Sequence, residues 1–347
     1  MVAEASLESV ADKGGLSTIR KGISDDLFFV CASFEQRTTS AAKCLAEDYR
    51  AKKAFVYYNE EFISNRETAR NLQKLCTVLR PKCDVTDEVA GSLIDPKKQF
   101  MALRKAILSL DLDSVKAVTV DVTTFNREAL LVLMALLRNN CKSARIRVLY
   151  VSPTKHGEWL SRGFREVRNI IGFPGIQRGS RSTMLVVLSG FEPDRIRKLI
   201  EEHEPKTVLL GFGDPPTERQ FLDRNIEEQK TVLARQNVER FNFPANGIEK
   251  CHRILTELLS KYLFEYNIIL APMSTKLSTL GGYLTVEAMQ EIQMTYCVPS
   301  QYNVKNYSKG ESHLFMEEMP MRPKDALTKS RSDLDFPTRN TSCRSPK

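Results

Sequence analysis

Asn267-Ile-Ile-Leu-Ala-Pro-Met-Ser-Thr-Lys-Leu-Ser-Thr-Leu-Gly-Gly282 decides how the chain is read, because a counterpart lies about 150 positions earlier. A short apolar run, 267–271, enters the polar turn Ser274-Thr275-Lys276 and leaves into a helix-like segment carrying Gly281 and Gly282. The earlier copy runs Val118-Thr-Val-Asp121-Val-Thr123-Thr124-Phe-Asn126-Arg127 and leaves into 128–137. Strand, polar turn and helix make half of a binding site in an open α/β sheet, since the turn sits at the carboxyl end of the strand.

Working outward, other landmarks repeat in the same order. Ser33-Phe34-Glu35 answers Gly190-Phe191-Glu192 just after the first predicted strand of each half, with Arg37 and Arg195 close behind. Tyr150-Val-Ser-Pro153 answers Tyr296-Cys-Val-Pro299, and Ser161-Arg162-Gly163 answers Ser308-Lys309-Gly310. Predicted strands at 27–32, 54–58, 117–122 and 146–151 alternate with helices at 38–50, 64–79, 96–110 and 127–138, a pattern of parallel sheets covered on both faces. The pattern restarts with strands at 184–188 and 207–210, a long helix over 217–236 and a last strand at 291–297. The expected fold is α/β, two tandem Rossmann-like halves made by internal duplication, each a mostly parallel sheet flanked by helices. The expected boundaries are a flexible arm at 1–25, a first half at 26–171, a Gly/Pro-rich linker at 172–182, a second half at 183–310 and a disordered basic tail at 311–347.

Composition narrows the class. The 347 residues are 42% hydrophobic and 8% aromatic, enough for real cores. No run approaches the roughly 20 apolar residues that span a bilayer, and the first 25 residues lack an apolar signal region, so a cytoplasmic protein without membrane contact is expected. Eight cysteines without CxxC pairs or ligand spacing read as reduced core thiols, and no metal site is expected. The net charge is +8, but the last 26 residues hold seven basic and three acidic side chains, so half the excess lies there. A nucleic-acid partner is compatible with that charge, although no nucleic-acid-binding motif supports it.

The candidate site is where the matched turns meet. Ser274, Thr275 and Lys276 in one half, and Thr123, Thr124, Asn126 and Arg127 in the other, offer hydroxyls, helix-start N–H groups and two cations, the ingredients of an anion or phosphate site. Thr124 and Ser274 equally suit the plainer role of helix caps. Asp121 leaves its strand towards the same region, whereas its match is the apolar turn 271–273. Ser33, Glu35 and Arg37, with Glu192 and Arg195, complete the candidate ligand-binding set. A surface ion pair in such a turn contributes only about 0–1 kcal/mol, so its recurrence favours a binding role. Arg162, Arg165 and Arg168 at three-residue spacing suggest one helical face near Trp159.

At Met273-Ser274-Thr275-Lys276, directly after a strand, the chain resembles the CARF family, Rossmann-like sensors of cyclic oligoadenylates in CRISPR defence. That family tends to have a Thr/Gly-rich turn ending in Thr-Lys at a nucleotide pocket on a twofold axis; here Pro272-Met273 replaces the glycines. The resemblance covers about ten residues and the general α/β order. It implies that Thr275 and Lys276 touch the ligand, that the two halves imitate a dimer within one chain, and that the protein serves a defence system.

Three functions follow as expectations. The first is a sensor that binds a nucleotide or phosphorylated small molecule between its halves and signals to a separate partner protein carrying the effector activity. The second is a nucleotide- or nucleic-acid-processing enzyme with Asp121 or Glu35 as general base and Arg37, Arg127 or Lys276 stabilising negative charge. The third is an interaction scaffold with a vestigial pocket. The sequence names no cofactor.

Overall fold

In β1 (Ser24–Ala32) the run Leu27-Phe-Phe-Val-Cys-Ala32 is buried on both faces, as a continuous apolar strand must be at the centre of a parallel sheet. The computed structural model describes residues 22–321. The predicted arm at 1–25 and the end of the tail therefore fall almost entirely outside the described residues. The first half continues as α1 (Ser40–Cys44), β2 (Arg50–Asn59), α2 (Arg66–Leu79), β3 (Cys83–Gly91), α3 (Pro96–Leu108), β4 (Ala117–Asp121), α4 (Arg127–Asn140) and β5 (Arg145–Val151). Three short strands follow: β6 (Lys155–His156), β7 (Ser161–Arg162) and β8 (Glu166–Asn169). The second half has β9 (Ser182–Leu188), α5 (Pro193–His203), β10 (Thr207–Gly213), α6 (Arg219–Glu228), α7 (Lys230–Leu233), β11 (Val238–Phe243) and α8 (Ile248–Ser260). It ends with β12 (Tyr266–Pro272), α9 (Lys276–Ala288), β13 (Gln293–Val298), β14 (Gln301–Tyr302), β15 (Ser308–Lys309) and β16 (Leu314–Glu318).

The two six-stranded sheets have the orders β16-β5-β4-β1-β2-β3 and β8-β13-β12-β9-β10-β11, which correspond strand for strand. Within each, five strands are parallel and the outermost, β16 or β8, is antiparallel. The duplication read from the turns is therefore present in the topology.

The edge strands change the domain boundaries. Strand β8 belongs by sequence to the first half yet pairs with β13 of the second, with Tyr296 opposite Arg168. Strand β16, placed by sequence in a disordered tail, pairs with β5, with Phe315 opposite Tyr150. Between them the arms cross: β6 pairs with β15 and β7 with β14. The halves thus exchange their last strands, and no boundary at 171 or 310 separates them.

Three local expectations fail for identifiable reasons. Residues 161–169, expected to line up arginines on a helix, form β7 and β8 because their backbone pairs with β14 and β13. The long helix over 217–236 breaks at Gln229, giving α6 and α7. The strand β11 was unforeseen, since Val-Glu-Arg-Phe-Asn-Phe puts few buried side chains on an edge strand.

Helices α4 and α9 occupy the centre. Most residues of both are buried, and one apolar cluster runs from Leu103 and Leu137 of the first half to Leu255 and Leu280 of the second. Gly281 lets α8 approach α9: a Cβ there would lie 2.6 Å from the Cβ of Cys251. The two helices run side by side in the same direction. Arg127 at the start of α4 donates to the carbonyls of Met273 and Ser274 just before α9, and Arg138 near the end of α4 pairs with Glu287 near the end of α9. No helix among the described residues is long and apolar enough to cross a membrane.

Candidate functional site

Parallel, adjacent helices bring two positive dipole ends together, each equivalent to roughly half a charge. The N-cap of α4 is Asn126, whose Oδ1 accepts from Ala129 N at 2.7 Å; that of α9 is Thr275, whose Oγ1 accepts from Ser278 N at 3.1 Å. Thr124 and Ser274 are not caps. Thr124 Oγ1 donates to the carbonyl of Cys31 at 2.6 Å, tying the turn to β1, and Ser274 supplies its carbonyl to Arg127. The first helical residues, Arg127 and Lys276, add two side-chain cations to the two dipoles.

Two cavities open on either side of this junction. The larger, about 710 Å³ including the part open to solvent, is lined by Arg37, Thr123, Arg127, Ser274, Thr275 and Lys276, with second-half residues such as Phe191 and Asn225. The smaller, about 430 Å³, is lined by Ser33, Glu35, Thr124, Asn126, Arg127 and Lys276, with Phe34, Phe62 and Tyr302. Tyr307 borders both. Each cavity has an aromatic wall. His156 lies 5.3 Å from the Phe191 ring and 5.0 Å from Phe221 in one; Phe34 lies 5.1 Å from Phe62 in the other. Gly190 stands where the first half has Ser33, since a Cβ there would meet the carbonyl oxygen of Met273 at 2.4 Å.

The recurring acid–arginine pairs have a different place from the one their sequence suggests. Glu35–Arg37 and Glu192–Arg195 are buried, not surface pairs, at 2.5 and 2.7 Å. Arg37 also donates to the carbonyl of Val151 at 2.6 Å, and Arg195 to that of Cys297 at 2.9 Å. A hydroxyl from the exchanged arm closes each pair: Ser308 donates to Glu35 at 2.6 Å and Ser161 donates to Glu192. Burial opposes ionisation of both acids, yet Arg37 with Ser308, and Arg195 with Arg127 and Ser161, hold the two carboxyls below the usual range. These units fix the arms over the cleft, and Glu192 and Arg195 line neither cavity.

Neither candidate base is presented to the cleft as a free carboxylate. Glu35 is held by Arg37 and Ser308. Asp121, 1% exposed, lines neither cavity; its Oδ1 accepts from Thr123 N at 3.0 Å and its Oδ2 has no protein partner. Burial pushes its carboxyl up to about 6, against the opposing pull of Thr123 and Arg37.

Lys276 is different. It is partly exposed, lines both cavities, and its Nζ makes no hydrogen bond or ion pair among the described residues. Burial, and after it the charge of Arg127, pushes its ammonium down to about 7. The larger cavity also holds buried polar atoms without partners, Asn225 Oδ1 and His156 Nδ1. Burial pushes the His156 ring down to about 3, so it is neutral at physiological pH.

His156, Tyr307 and Asn225 were absent from the expected site. The matched Ser161 and Ser308 were the available signal that the flanking arms belong to it, whereas Asn225 sits on an amphipathic helix with nothing to mark it. Trp159 is half-buried under the guanidinium of Arg162, 4.3 Å from its ring. Among the described residues no three His, Cys, Asp or Glu side chains are arranged to hold a metal ion. The seven described cysteines are free thiols.

No family model matches this chain, and no curated protein matches it. Among solved structures it is similar to a periplasmic ribose ABC transporter from Conexibacter woesei DSM 14684, at 16% identity over 70% of each chain with a TM-score of 0.24. It is also similar to a functionally unknown protein from Pseudomonas aeruginosa PAO1, at 12% identity over 79% of this chain and 93% of that one, with a TM-score of 0.23.

Proposed function

We propose that the protein binds a nucleotide or related phosphorylated small molecule in the cleft between its duplicated halves, and that a separate cytoplasmic protein partner reads its occupancy. The observation that carries this reading is the unpartnered ammonium of Lys276 beside Arg127, at two helix N-termini that point the same way. An anion there meets two side-chain cations and two dipole ends, and relieves a repulsion that the protein otherwise bears alone. The aromatic walls suit a planar group attached to that anion. Because Arg127 comes from one half and Lys276 from the other, a ligand touching both couples the halves, which are already tied by their exchanged arms.

The test is a thermal-shift panel on the full chain with mononucleotides, cyclic oligonucleotides, dinucleotide cofactors, sugar phosphates and inorganic phosphate. A ligand at 100 times its Kd stabilises by about 2.7 kcal/mol. At about 2.1 cal/mol/K per residue over 300 residues, that raises Tm by about 4 °C. The shift is lost in the double variant Lys276→Ala, Arg127→Ala. A panel without a shift, or a shift that the double variant retains, rejects the cleft as the anion site.

A further inference from the structure

Lys276 combines features that anion binding alone does not require. Its neighbours are already engaged: Arg127 donates to the carbonyls of Met273 and Ser274, and Arg37 is occupied by Glu35 and Val151. The Lys276 amine keeps its capacity to react and faces the larger of the two cavities. The same cavity is lined by Tyr150, Tyr307 and His156, whose ring is neutral. Asn225, 5% exposed, presents an Oδ1 with no protein partner, a second sign that this space is shaped for a polar occupant.

We infer that Lys276 is a nucleophile that captures the carbonyl carbon of an anion-bearing aldehyde or ketone as a covalent imine. The lone pair of the neutral amine forms the C–N bond as the carbonyl π pair moves to oxygen, which takes up the proton the nitrogen sheds. The resulting hydroxyl leaves as water with a proton taken from solvent. A second proton lost from nitrogen returns to solvent, and one amine plus one carbonyl gives one imine plus one water, with no change of oxidation state. The anionic group of the substrate faces Arg127 and the two helix ends; in this respect the inference rests on the proposed function. The groups facing the amine are Arg127 from α4, Arg37 and Glu35 from the turn after β1, and Cys31 from β1. Burial and Arg127 together leave about half of the amine neutral at pH 7, against roughly one in 3,000 for an ordinary lysine. Lysines activated by burial or by a cationic neighbour are nucleophiles of this kind.

The experiment treats the full chain with pyridoxal 5′-phosphate, and in parallel with unphosphorylated pyridoxal, then reduces with borohydride and maps modified lysines by peptide mass spectrometry. Exposed Lys250 is the internal reference. At pH 7, Lys276 is modified at least about tenfold faster than Lys250, with a rate midpoint near pH 7 that moves up in Arg127→Gln as the neighbouring charge is removed. Lys276→Arg keeps the charge and loses the rapid capture. If a phosphorylated ligand stabilises the protein but Lys276 reacts no faster than Lys250, the cleft binds anions and the inference is wrong. If pyridoxal and its phosphate react equally at Lys276 and no phosphorylated ligand stabilises the protein, the nucleophile stands and the anion reading falls.

Discussion

Replacing Lys276 by methionine stabilises the empty protein. The folded ammonium titrates near 7, while the unfolded one keeps the ordinary 10.5. Between these values the unfolded chain binds a proton that the native state does not, so stability rises with pH from about 7 to about 10.5, and the penalty is fully present below 7. A fall from 10.5 to about 7 corresponds to about 4–5 kcal/mol. Because Lys276 is partly exposed to the cleft, solvent screening reduces this to about 3 kcal/mol. Methionine keeps the stem and its packing and removes the charge. With about 1.6 °C per kcal/mol for 300 residues, Tm of Lys276→Met exceeds that of the parent by about 5 °C at pH 6. The difference shrinks at pH 9–10. Differential scanning calorimetry of both proteins without ligand, at pH 6, 8 and 10, reads both quantities. A variant less stable than the parent at pH 6, or a gap that does not narrow with pH, refutes the argument that Lys276 is an uncompensated cation.

Other features give independent tests. Arg195→Met leaves Glu192 buried without its partner and costs about 3–5 kcal/mol in a urea titration; a loss below about 1 kcal/mol would mean that solvent reaches the carboxylate. Ending the chain after residue 312 removes β16 and bares the edge of β5, so the product aggregates in light scattering where the full chain does not. Gly281→Val drives two methyl groups into Cys251 and costs more than about 1–3 kcal/mol, whereas a neutral result would mean that α8 and α9 are not in contact. Burial pushes the thiols of Cys31 and Cys251 up, so both stay unreactive towards a disulfide reagent at pH 8 until the protein unfolds.

The central strands and the helices that follow them were legible because burial on both faces forces continuous apolar runs at 27–32 and 268–271. The duplication was legible because the same turns recur at matching offsets. The exchange of β8 and β16 was not, since Glu-Val-Arg-Asn and Leu-Phe-Met-Glu-Glu are short, charged edge strands whose pairing partner lies more than 120 positions away. A local pattern cannot say which sheet such a strand joins. The same limit misjudged Glu35–Arg37 and Glu192–Arg195: an acid and an arginine two or three residues apart look like a surface pair until distant Ser308 and Ser161 cover them. Lys276 stood out by its place in the turn, but its lack of a partner depends on where Arg127 and Arg37 are spent, which only the packed structure reveals.

The two ends of the α4–α9 pair argue for function more directly than either alone. Duplication places equivalent positions side by side along these helices, so a cation in one copy tends to meet a cation in the other. At the carboxyl ends the equivalent positions are Arg138 and Glu287, and the clash is resolved as an ion pair, with Arg138 Nε 3.0 Å from Glu287 Oε1. At the amino ends the equivalent positions are Arg127 and Lys276, and no carboxylate takes either place, although a negative side chain would suit the helix dipole. The chain instead keeps Arg127 and Lys276, two like charges at the least favourable ends of two helices, opening onto the larger cavity. A like-charge contact kept at one end and replaced by an ion pair at the other is the asymmetry on which the proposed anion site rests.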